Sequence, residues 1–184
     1  MGQGTAVWVL IALSFVTANL PFIVQRPLFC MPWRQIGEAS GSTALRLLRC
    51  VVMAALVVGA AYASHYYISR AFFNSSSLLL MTVAGVVVIF AVLMWLPGFW
   101  LRQQPAIEKG VMTRLIEFLI LFVLMGVLGF AFEASQGNVF PQRWEFYAIG
   151  LCLYVVLGYP GFVVRYLVKR RRGGNAAMAA DGVY

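Results

Sequence analysis

Five long apolar runs, each bounded by polar or basic residues, organise the chain. They cover about residues 5–24, 50–67, 78–101, 115–132 and 146–166. Each is close to the roughly 20 residues an α-helix needs to cross a bilayer core of about 30 Å. The pattern predicts an all-α integral membrane protein with about five transmembrane helices. One helical membrane domain is expected over 1–172, with a small polar tail at 173–184.

Three of the runs end alike. Gly158-Tyr159-Pro160-Gly161-Phe162-Val163-Val164-Arg165 closes the fifth, and Trp95-Leu96-Pro97-Gly98-Phe99-Trp100-Leu101-Arg102 closes the third. A version without the glycine, Asn19-Leu20-Pro21-Phe22-Ile23-Val24-Gln25-Arg26, closes the first. A proline inside a helix removes one donor and frees the carbonyl four residues earlier, here that of Thr17, Leu93 and Val156. Neighbouring helices or water must then satisfy the freed group. Five residues of helical rise place each Arg roughly 7.5 Å beyond its Pro, in reach of lipid phosphates. The copies therefore mark three anchored helix ends on one membrane face; a shared concave surface there is the alternative.

The charges fix an expected orientation. Arg26, Arg34, Arg46, Arg49, Arg102, Lys109, Arg114, Arg165, Lys169, Arg170, Arg171 and Arg172 fall on one side of a five-span chain, and only Arg70 and Arg143 on the other. Twelve against two predicts an outside N-terminus and a cytoplasmic C-terminus. No Lys or Arg precedes the first run, so it is expected to stay as a span rather than be removed as a secretory signal. The connector from Arg26 to Thr43, rich in Pro and Gly, reads as a cytoplasmic loop with a surface-lying portion around Leu28-Phe29 and Met31-Pro32-Trp33. In the second run Ala55, Gly59 and Ala63 recur at four-residue spacing, the pattern of a helix-packing seam.

Composition agrees. The chain is 62% hydrophobic and 11% charged, with mean hydropathy +0.85, more apolar surface than a soluble domain of 184 residues can hide. The net charge of +8 flanks apolar runs instead of lining a soluble face, which argues against nucleic-acid binding. Cys30, Cys50 and Cys152 have neither metal-ligand nor CxxC spacing.

Chemistry is sparse. The single histidine, His65, stands among tyrosines at the outer boundary. The acids are Glu38, Glu108, Glu117, Glu133, Glu145 and Asp181, with no ligand cluster, nucleophile–base pair or phosphate loop. No catalytic, cofactor-binding or metal residue is therefore expected. Glu117 is the acid set furthest into a span, three residues after Arg114, and the expected arrangement is a local ion pair between them. Glu133 and Glu145 flank the outer loop and can meet each other or Arg143. The residues singled out as structural or partner-contacting are these acids with Arg114 and Trp144, together with Pro21, Arg26, Pro97, Gly98, Phe99, Arg102, Pro160, Gly161, Phe162 and Arg165.

The stretches Arg114-Leu115-Ile116-Glu117, Glu133-Ala134 with Gly137, Gln142-Arg143-Trp144-Glu145-Phe146-Tyr147-Ala148-Ile149, Cys152-Leu153 and Tyr159-Pro160-Gly161-Phe162-Val163 resemble a small bacterial membrane family, DUF2818. Asn19-Leu20-Pro21-Phe22 with Arg26 resembles its first span. The resemblance covers runs one, four and five. Family members are typically shorter, with three spans, so runs two and three look like an insertion or a parallel duplication of the hairpin formed by runs four and five. Family genes tend to lie beside those of respiratory complex I, the proton-pumping NADH:quinone oxidoreductase. The resemblance thus implies a non-enzymatic accessory or assembly role near that complex in the bacterial inner membrane. The competing expectation is a small transporter, or a lipid- or quinone-binding protein using the kinked ends and Glu117.

Overall fold

The computed structural model describes residues 2–33, 42–70, 76–100, 109–137 and 141–168. Five α-helices follow one another: α1 Gly2–Ile23, α2 Thr43–Arg70, α3 Ser76–Trp100, α4 Val111–Ser135 and α5 Trp144–Val163. A π-helical stretch, Val164–Val168, continues α5. No strand occurs among the described residues. Gly4–Ile23, Thr43–Arg70, Val111–Ser135 and Trp144–Leu167 are each long and apolar enough to cross a membrane, and α3 supplies a shorter apolar stretch, Leu80–Trp95. Arg46 and Arg49, expected to precede the second run, lie inside the first turns of α2.

The helices alternate in direction. One apolar cluster joins the start of α1 (Ala6), the end of α2 (Ile68), the start of α3 (Val83) and the end of α4 (Leu128, Ala131, Phe132). A second, towards the other end of the bundle, joins Ala18 of α1, Val57 of α2, Phe118 and Leu121 of α4 and Tyr154 of α5. The alternation brings Arg26, Arg46, Arg49, Lys109, Arg114 and Arg165 to one end of the bundle, as their sequence positions at helix ends require. α1 is the central element, packed against α5 and α4 and touching α3, while α2 packs against α4 and α3.

One sequence expectation fails here. The portion expected to lie on the surface is largely buried: Leu28, Phe29 and Met31 pack into the second cluster, while Pro32 and Trp33 are exposed. Burying these large apolar side chains outweighs leaving the segment at the interface, because each removes its own apolar area from water. The Ala55–Gly59–Ala63 seam of α2 is not a contact within the bundle. Its packed face carries Met53, Val57 and Ile68, whereas Ala55 and Gly59 are exposed and nothing approaches within 4 Å of a methyl built on Gly59. The first and last copies of the proline motif do pack together. Pro21 is fully buried in α1. Phe22 meets Phe162 edge-on, with ring centroids 5.9 Å apart. Pro97, Gly98 and Phe99 fall in the last turn of α3, whose side chains from 96 to 100 lie outside the described ones, as does Arg102.

Close approach of α1 and α5 depends on glycine. A Cβ on Gly161 would stand 2.8 Å from Asn19 Oδ1 and 3.2 Å from the Asn19 carbonyl oxygen. One on Gly158 would stand 2.8 Å from the Phe118 ring and 3.1 Å from the Ala18 carbonyl oxygen. Gly161→Ala is therefore expected to destabilise the protein by about 1–3 kcal/mol through overpacking. Gly59→Ala, in open space, should stabilise it by roughly 0.5–1 kcal/mol through helix propensity. Unfolding in mixed micelles followed by circular dichroism distinguishes the two; equal effects would contradict the packing described.

Candidate functional site

The polar groups inside the bundle form two linked constellations. The first lies between α1 and α5. Pro160 interrupts the hydrogen-bond ladder of α5, and one turn of that ladder is completed by a side chain from another helix. The Gly161 N–H donates to Asn19 Oδ1 at 2.7 Å, and Asn19 Nδ2 donates to the Leu157 carbonyl at 2.9 Å. In an unbroken helix, Gly161 N–H and Leu157 C=O would bond each other. The Asn19 carboxamide bonds both. Its second amide hydrogen goes to Phe15 of its own helix at 2.6 Å, so three of its four bonding positions are used. A turn away, the Tyr154 hydroxyl donates to Thr17 Oγ1 at 3.0 Å, and Thr17 donates to the Leu13 carbonyl at 2.8 Å. Tyr154 is buried against Phe118 and Phe122 of α4, which ties the third helix to the pair.

The second constellation sits at the start of α4. Glu117 is fully buried. Its Oε2 accepts from Lys109 Nζ at 2.6 Å, and its Oε1 accepts from the Leu28 N–H at 2.6 Å. One carboxylate therefore joins α4, the segment before it and the segment after α1. Lys109 is itself buried, and burial pushes its ammonium below the usual lysine range against the opposing pull of the Glu117 carboxylate. Trp33 Nε1 reaches Thr113 Oγ1 at 3.4 Å and brings the same post-α1 segment onto α4.

The expected Arg114–Glu117 pair is not formed. Helical spacing does bring both to one region, but the long Lys109 stem folds in from outside the helix and takes the carboxylate. Arg114, also buried, turns to α5: Nη1 donates to the Tyr166 hydroxyl at 3.1 Å, and Nε has no partner. Glu133 likewise meets neither Glu145 nor Arg143 and accepts from Gln142 Nε2 at 3.1 and 3.3 Å, tying the end of α4 to the approach to α5. Arg143 is extended backbone ahead of α5 and is exposed, which leaves Gln142 nearer the carboxylate. Glu145 is exposed in the first turn of α5, where its charge suits the positive end of the helix dipole. Trp144 and Arg26 are exposed, and Arg165 is half-buried.

Of the residues expected to matter, the structure gathers Pro21, Pro160, Gly161 and Phe162 into one helix contact, and Arg114 and Glu117 into the neighbouring end. Asn19, Thr17, Tyr154 and Lys109 carry as much of this arrangement and had not been singled out. Asn19 and Thr17, polar residues deep in an apolar run two and four positions before a proline, were the available signal. No group of three His, Cys, Asp or Glu side chains fit to hold a metal occurs among the described residues. With both carboxylate oxygens engaged and no exposure, Glu117 is a joint between segments. Removing one partner of such a pair leaves the other charge buried. Glu117→Gln should thus cost about 3–5 kcal/mol of stability, with much of the loss recovered in the Glu117→Gln, Lys109→Met double variant. Additive losses in that cycle would show the pair to be uncoupled.

A model of the family described as "Protein of unknown function (DUF2818)" matches residues 6–102 and 75–169. Each segment takes in three consecutive helices, and α3 belongs to both. No curated protein and no solved structure matches the chain. The matched residues include the Asn19–Gly161 contact and the Glu117 joint, and over that extent the chain belongs to the DUF2818 family.

Proposed function

We propose that this protein is a non-enzymatic, multi-pass membrane protein that packs against a larger respiratory membrane complex as an accessory or assembly factor. We place it in the bacterial inner membrane, with the end bearing Arg26, Lys109, Arg114 and Arg165 on the cytoplasmic side. The observation that supports partner packing is the outward face of α2. Ala55 and Gly59 are exposed there, one turn apart, with open space around Gly59. Small residues so placed let a second transmembrane helix approach closely. The interior polar groups support a structural role, since Asn19, Glu117 and Lys109 are consumed in holding the bundle's own segments. The two overlapping family matches support the further reading that the central hairpin arose by duplication.

Mild detergent extraction of native membranes, followed by native electrophoresis and immunodetection, tests the role. The wild-type protein should migrate with a respiratory complex, and Gly59→Leu should release it without lowering helix content or thermal stability. Migration of the wild-type chain alone, with the level of that complex unaltered in a deletion strain, would reject the proposal.

A further inference from the structure

The buried charges at the start of α4 do not balance. Among the described residues Lys109, Arg114 and Glu117 are the charged side chains that lie buried, two cations against one carboxylate. Glu117 has nothing left for Arg114: its Oε2 accepts from Lys109 and its Oε1 from the Leu28 N–H. Arg114 lies close enough to Lys109 for the two like charges to repel. It is 4% exposed, and the one ion pair among the described residues is Lys109–Glu117. A guanidinium cannot shed its proton to escape burial, so a positive charge is held there without an acidic partner among the described residues.

The guanidinium is fixed in place yet only partly used. Its Nη1 donates to the Tyr166 hydroxyl at 3.1 Å, and its central carbon stands 5.6 Å from the Tyr166 ring centroid. Nε is enclosed and bonds nothing. With Nη1 taken, Nε and Nη2 form the free side of the fork, the side that grips two oxygens of a carboxylate or phosphate. Tyr166 is half-buried in the π-helical stretch after α5, so the site lies beside the surface and not in the middle of the bundle.

Depth selects between those two oxyanions. α4 has 25 residues, roughly 37 Å of helix against a hydrocarbon core of about 30 Å. Arg114 lies in its first turn and so stands near the boundary, at the level of lipid phosphates. Trp33 marks the same level: it is 39% exposed, and its Nε1 reaches Thr113, the residue before Arg114, at 3.4 Å. Arg165, beside Tyr166, adds a half-buried cation to this end. We infer that Arg114 binds a phosphate group through its Nε–Nη2 edge, with Tyr166 fixing the guanidinium for it. Phosphate at this level comes from a phospholipid head group or from solution, and the recognition chemistry is the same. Arg114 is thus a ligand-binding residue, whereas Lys109 and Glu117 join segments of the chain.

The test uses the full-length protein, stripped of lipid in a phosphate-free detergent solution, and reads its thermal unfolding midpoint by circular dichroism. The probes are inorganic phosphate, phosphatidic acid and diacylglycerol, the last carrying acyl chains without phosphate. At least one of the two phosphate probes should raise the midpoint saturably. A rise with both shows that phosphate from solution suffices, and a rise with phosphatidic acid alone identifies the lipid head group as the source. Arg114→Lys keeps the charge but loses the two-pronged edge, and should weaken binding about tenfold. Tyr166→Phe, which frees the guanidinium to turn, should weaken it about fivefold. Arg114→Met should abolish the rise, and without probe its midpoint should be no lower than that of the wild type, because an unpaired buried charge is gone. No rise with either phosphate probe would overturn the assignment. So would a rise that Arg114→Met leaves intact, or one that diacylglycerol produces equally. Every readout comes from the purified chain, so failure here and failure of the accessory role are separate results.

Discussion

The bundle depends on a carboxamide placed beside a proline that interrupts the hydrogen bonds of a neighbouring helix. Pro160 takes its own N–H out of the ladder of α5, and beside that break Asn19 of α1 bonds both Gly161 N–H and Leu157 C=O, the pair one position further along the helix. In water such a break is partly healed by solvent. In hydrocarbon each unsatisfied group costs several kcal/mol, so the break in one helix becomes a requirement for the other. Gly158 and Gly161 then let α1 come close enough for the amide to reach, and Phe22 and Phe162 close the contact beside it. A proline that destabilises an isolated helix thus specifies which helix must be its neighbour and in what register.

The Glu117 joint has the same logic at the basic end. Leu28, Phe29 and Met31 fold into the core, and the Leu28 N–H they carry inward finds the Glu117 carboxylate. Lys109 supplies the opposite charge from the segment preceding α4. Three segments that have no regular structure in common converge on one side chain. What remains outward is α2 with Ala55 and Gly59.

Much of the architecture was legible from the sequence because length and flanking charge are strong signals for helices in a membrane. The five helices, their alternation and the kinship of their proline-bearing ends all follow from runs and punctuation. Packing faces were not. Inside a bilayer both the core side and the lipid side of a helix are apolar, so periodicity no longer says which side is buried, and the Ala55–Gly59–Ala63 spacing does not mark the face of α2 that packs within the bundle. Pairing across loops was hidden for another reason. Arg114 at three residues from Glu117 looked like its partner because helical neighbours are the pairs a sequence displays, while Lys109 reaches the carboxylate from outside the helix. The role of Asn19 required knowing that α1 and α5 touch, although a polar side chain just ahead of Pro21 was a visible hint.

Amide hydrogen exchange at Gly161, resolved by nuclear magnetic resonance in micelles or nanodiscs, tests the central contact most directly. Protection at Gly161 should match that of the surrounding α5 amides in the wild-type protein and fall selectively in Asn19→Leu, with amides in α2 and α3 unaffected. Gly161 exchange that Asn19→Leu leaves unchanged would show that the carboxamide does not complete the broken helix.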